Sequence, residues 1–78
     1  MSPDKLVRMA NQIGTFFAHQ GKGPDADEIA VTAIAKHLDD FWDPSMRRAI
    51  VAHGAAGGVG LDPLVKRAVE RLAAEAGA

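Results

Sequence analysis

The sequence predicts an all-α protein, a small compact bundle of four helices with a short third helix. Three observations predict it. Apolar residues recur at three- and four-residue spacing in four separate segments. No segment alternates with the period of two that a half-buried strand requires. The dipeptides Asp43-Pro44 and Asp62-Pro63 each end one segment and open the next.

The first helix opens at Ser2-Pro3-Asp4: an N-cap serine, a proline at the first helical position and an acid at the positive end of the helix dipole. Leu6, Met9, Ala10, Ile13, Phe16 and Phe17 then recur on one side, and the turn residues from Gln20 to Pro24 end it. The second begins at Asp25. Glu28 stands three residues later, the spacing of a capping box. Its apolar side is read as Ala30, Ala33, Ile34, His37, Leu38 and Phe41, and it stops between Asp40 and Trp42.

The third helix runs from Pro44 to about His53, capped by Asp43, with Gly54 as its left-handed terminator. The fourth runs from Pro63 to about Ala76, capped by Asp62. Leu64, Val65, Ala68, Val69, Leu72 and Ala76 share its apolar side. Residues 1–78 read as one domain without a linker.

Composition narrows the function. A chain of 78 residues removes only about 60–65% of its unfolded surface from water, so its core is thin. Fifteen alanines supply much of the apolar content; they favour helix but bury little area. With no cysteine, disulfides, thiolate zinc sites and iron–sulfur ligation are excluded. The net charge of −1 and pI of 6.2 create no field to attract nucleic acid or an anionic membrane. No apolar run approaches the roughly 18–20 residues of a membrane span. The opening MSPDKLVRM lacks a signal peptide's apolar centre, which predicts a cytoplasmic protein.

The stretch HGAAGGVGLDP, His53 to Pro63, resembles a phosphate loop in its glycine content. It lacks the terminal Gly-Lys-Ser/Thr of a P-loop and the third glycine and preceding strand of a dinucleotide fingerprint. Asp62 puts a carboxylate where a phosphate would sit, and Pro63 removes a backbone donor. The stretch is read as a connector. His19, His37 and His53 do not share the helical spacing of a ligand face. His37 and His53 project to apolar sides, as hydrogen-bonded core or interface residues do. Asp39 and Asp40 diverge by about 100° on their helix and cannot act on one substrate. No nucleophile stands beside a base. No catalytic, cofactor or metal residue is therefore predicted.

What remains is surface. The apolar arc of the first helix covers roughly half its circumference, from Phe16 and Met9 to Val7 and Gly14, whereas packing on one core needs about 100°. Phe16 lies at the edge of that arc, and Trp42 stands at the Asp43-Pro44 corner with Arg47 one turn on. Large aromatics beside arginine anchor interfaces. Phe16, Trp42, Arg47 and Arg48 are accordingly predicted to contact a partner, self-association being one form of that contact; the other reading of Phe16 and Trp42 is that both close a small core. The alternative is a small nucleic-acid-binding or regulatory module built on the basic helix starts Arg47-Arg48 and Lys66-Arg67.

Three ordered blocks, KLVRMANQIGTFFAH, HLDDFWDPSMRRAI and LDPLVKRAV, with the AAGG connector, span nearly the whole chain. Together they resemble the delta subunit of cytosolic NAD-dependent molybdenum formate dehydrogenases. Ser45 departs from the resemblance, standing where such proteins often carry a basic residue. The resemblance implies a non-catalytic accessory subunit without a cofactor of its own. Its implied partner is the molybdenum-containing catalytic subunit, whose assembly, stability or cofactor retention it would support. The molybdopterin, iron–sulfur and flavin groups of such enzymes belong to the other subunits.

Overall fold

A computed structural model describes residues 2–76, the side chain of Ala76 excepted. Four helices follow one another: α1 (Pro3–Ala18), α2 (Ala26–Phe41), α3 (Pro44–Ala55) and α4 (Pro63–Ala76). Their starts are set by local chemistry. Ser2 is extended and its Oγ accepts the Lys5 N–H at 3.3 Å, with Pro3 at the first turn of α1. Asp43 is extended likewise, and its Oδ1 accepts the Met46 N–H at 2.9 Å. The Asp62 carbonyl accepts the Lys66 N–H at 2.8 Å to begin α4.

The start of α2 departs from expectation. Asp25 makes no side-chain cap, and Glu28 does not turn back to complete a capping box. Its carboxylate instead reaches across to Arg67, at 2.6 Å, and to Arg71 on α4. Two guanidinium partners outbid one backbone N–H, because charge-assisted bonds are the stronger kind.

The end of α3 also differs. The helix continues past His53 to Ala55, and Gly54 lies inside it. Gly57, at φ 120°, is the left-handed residue. Its N–H bonds to the Gly54 carbonyl at 3.2 Å, and the Gly58 N–H to the His53 carbonyl at 3.0 Å. That pair of bonds is a Schellman motif closed one turn later than expected. Gly54 serves packing instead: a Cβ there would stand 2.8 Å from Cγ1 of Val69.

All four helices meet in one cluster whose fully buried members include Val31, Ile34, Leu38, Ile50, Val65 and Val69. Helix α4 packs on the other three, most extensively on α2, and α1 lies across α2, α3 and α4. The Cα radius of gyration is 11.5 Å, close to the value of about 11.5 Å for a packed globule of this length. The stripe of α4 matches expectation from Val65 to Leu72, while the side chain of Ala76 lies outside the described residues. On α2 the buried stripe is Ala30, Val31, Ile34, Ala35 and Leu38. It is rotated from the expected side, with Val31 and Ala35 buried and His37 only half-buried, and Phe41, although seven residues after buried Ile34, is exposed as the last residue of the helix. The cause of the rotation is that α2 lies between α1 and α4, and its core face is set by both.

Gly14 is where α1 crosses α4. A Cβ at this position would overlap Cγ2 of Val65, a fully buried β-branched side chain that lacks a second rotamer of comparable energy in a helix. Gly14→Ala should therefore destabilise the fold by about 1–2 kcal/mol, the overpacking penalty exceeding alanine's helix advantage of about 1 kcal/mol. In a Val65→Ala background the same change should be neutral or stabilising. Urea unfolding of the four-member mutant cycle measures this, and additive effects would show that the contact is absent.

Candidate docking surface

The half-circumference apolar arc of α1 has three different neighbours. Its centre, Leu6, Ala10 and Gly14, is buried in the core. One flank faces the glycine-rich connector. Asn11 Nδ2 donates to the Gly60 carbonyl at 2.9 Å, and its Oδ1 accepts the Asp62 N–H at 3.0 Å. Val7 lies at the same point, 3.3 Å from where a Gly60 Cβ would be. The amide of Asn11 thus clamps both sides of the turn, with its orientation set by one acceptor and one donor. On the other side of the turn His53 donates through Nε2 to the Val59 carbonyl at 2.7 Å, which requires a proton on that nitrogen. Gly58 and Gly60 adopt φ of 65° and 85° to make the reversal. This is the connector expected, closed by the protein's own side chains.

The remaining flank of α1 is uncovered. Phe16 is 59% exposed and meets Phe17 edge-on at 5.2 Å between ring centroids. Phe17 meets the His37 ring at 6.0 Å, and His37 lies against Phe41 at 4.8 Å. Phe41 is 74% exposed. A continuous row of four rings therefore crosses from α1 to α2, half-buried in its middle and open at both ends. Such ring pairs contribute beyond their buried area, so the row holds its geometry without a cover. His37 is thereby an aromatic member of a surface row and His53 a hydrogen-bonded loop anchor. Among the described residues no group of three His, Asp or Glu is placed to hold a metal ion.

The four residues expected at a partner interface do not form one patch. Phe16 belongs to the aromatic row. Trp42 is 6% exposed and part of the core cluster, the place that the core reading of the two aromatics gives it. Extended backbone at Trp42 turns the indole inward from the corner, where an alanine-rich core needs bulk. Arg47 donates to the carbonyls of Asp39, at 3.1 Å, and Trp42, tying down groups left unpaired at the end of α2. Arg48 is exposed and lines a concavity of about 390 Å³ with Arg47, Asp39, Val51, Leu72 and Glu75. Two arginines there face two carboxylates, so the hollow has no net preference for an anion.

Phe41 is the surface residue that sequence reasoning placed in the core. The signal for its exposure was its place as the last residue of α2, since it shares a helix face with buried Ile34. Ser45, the departure from the resemblance, donates from Oγ to Asp43 Oδ1 at 2.8 Å and so reinforces the cap.

Two carboxylates carry perturbed ionisation. The Met46 N–H, then the Ser45 hydroxyl, hold Asp43 below its ordinary value of 3.8. The Arg71 hydrogen bond and the charges of Arg71 and Arg67 hold Glu28 below 4.5. A lowered folded-state value means a contribution that is present above the unfolded value and lost as pH falls through the folded one. The melting temperature should therefore drop below about pH 5. The Glu28→Gln, Asp43→Asn double variant should start lower at pH 7 and fall less on acidification. Parallel melting curves for the two proteins would contradict these assignments.

Among the described residues no helix is long and apolar enough to cross a membrane. Comparison with known proteins adds the family. No curated protein and no solved structure is significantly similar to the chain. The family model described as NADH-dependent formate dehydrogenase delta subunit FdsD matches residues 5–69, from the first turn of α1 to the middle of α4. The chain belongs to the FdsD family, the delta subunits of NADH-dependent formate dehydrogenase.

Proposed function

We propose that this chain is a non-catalytic accessory subunit of the formate dehydrogenase complex, held by the molybdenum-containing catalytic subunit in the cytoplasm. In this role it supports the assembly, stability or molybdenum-cofactor retention of that subunit and brings no cofactor of its own. The family match over residues 5–69 carries the reading. The chemistry of the chain is consistent with it: cysteine is absent from the sequence, and the glycine-rich turn is closed by Asn11 and His53. Phe16 and Arg48 are the expected contact residues that remain exposed, while Arg47 contributes through whatever donors its two carbonyl bonds leave free.

The nucleic-acid alternative is weaker on specific grounds. Arg67 is paired with Glu28 and Arg47 is bound to backbone carbonyls, which leaves the basic helix starts partly neutralised. A phosphate-binding surface needs several free cations.

Co-expression of the other subunits with and without this chain tests the proposal. With it, formate-dependent NAD reduction and molybdenum content per catalytic subunit should rise, and the small subunit should co-elute. Equal activity and metal content in the two preparations, with no co-eluting chain, would refute it.

A further inference from the structure

We propose that the row Phe16–Phe17–His37–Phe41 is the docking surface, and that its occupant is an apolar socket on another subunit of the formate dehydrogenase complex. The inference rests on the accessory-subunit reading and adds the surface. Among the described residues, Phe16 and Phe41 are two of the four large hydrophobic residues left exposed, the others being Ile29 and Val59. Only the phenylalanines belong to a ring row spanning two helices. The row is pre-organised: Phe17 and His37 are half-buried between the two open rings and fix both, so little side-chain entropy is lost on docking. Aromatic anchors of this kind dominate binding when seated in a pocket.

Area argues against a second copy as the occupant. A two-fold interface is built from the same patch on both copies. With about 200 Å² per phenylalanine side chain and exposures of 59% and 74%, the two open rings offer roughly 250–300 Å². A stable interface needs about 800 Å² from each partner. A larger subunit that covers the row together with its flanks reaches that area. The adjoining charged pair on α2, Lys36 with Asp40 at 3.0 Å, is self-neutralised. The socket therefore needs apolar walls and no net charge.

Phe16→Glu and Phe41→Glu test this in the co-expressed complex, with Ile29→Glu and Val59→Glu as controls at the other exposed apolar positions. All four isolated chains should keep their helical circular dichroism. The two phenylalanine variants should lose co-purification by about tenfold or more, and the controls should retain it. If the wild-type chain fails to co-purify, the accessory reading itself falls. If it co-purifies and both phenylalanine variants do so equally, the assignment of the row falls alone. Radical footprinting of the wild-type complex covers the case of a variant that does not fold. Protection at Phe16 and Phe41 but not at Ile29 and Val59 supports the proposal, and the opposite pattern overturns it. Sedimentation of the isolated wild-type chain should give a monomer, and a dimer abolished by Phe41→Glu would assign the row to a second copy.

Discussion

Two valines on α4 press against glycines on two other helices. Val65 occupies the space a side chain at Gly14 would need, and Val69 does the same at Gly54. Both valines are almost wholly buried. A core built from so many alanines cannot gain stability through bulk, since each methyl removes little area from water. It gains it by bringing backbones close, so that small side chains still touch on all sides and dispersion contacts are not lost. The glycine notches make that approach possible, and α4 consequently packs on every other helix.

That arrangement determines what is left outside. With α4 filling the space between α2 and α3, the core face of α2 is set by Val31, Ile34, Ala35 and Leu38. The rings of Phe16 and Phe41 stay exposed, while Trp42 is buried in the core cluster. The exposed aromatic row is thus a product of how the core closes. In a protein of this size there is too little interior to hide every large apolar group. Polar groups close the other flank: Asn11 and His53 tie the connector to α1 and α3, and Glu28 joins α2 to α4 through two arginines.

For a subunit family defined by membership of a larger assembly, an uncovered row of aromatic rings is a sound physical design. Rings locked by one another lose little freedom on binding, and most of the affinity can come from two anchors. The interior need only be stable enough to hold the row in place.

The number of helices, their order and most of their boundaries were legible in the residues themselves. Ser2-Pro3 and Asp43-Pro44 act within one turn of chain, through a side-chain oxygen, a missing N–H and the steric bar before proline. Such signals do not depend on the rest of the molecule. Tertiary structure alone decided that Gly54 stays inside α3, because the reason is Val69 on another helix. It decided that Glu28 leaves its expected cap for Arg67 and Arg71. It also placed Trp42 inside and Phe41 outside, although both are large, apolar and adjacent. Periodicity tells that a helix has an apolar side. Which arc of that side is buried is a rotation about the helix axis, set by neighbours that a linear pattern does not specify.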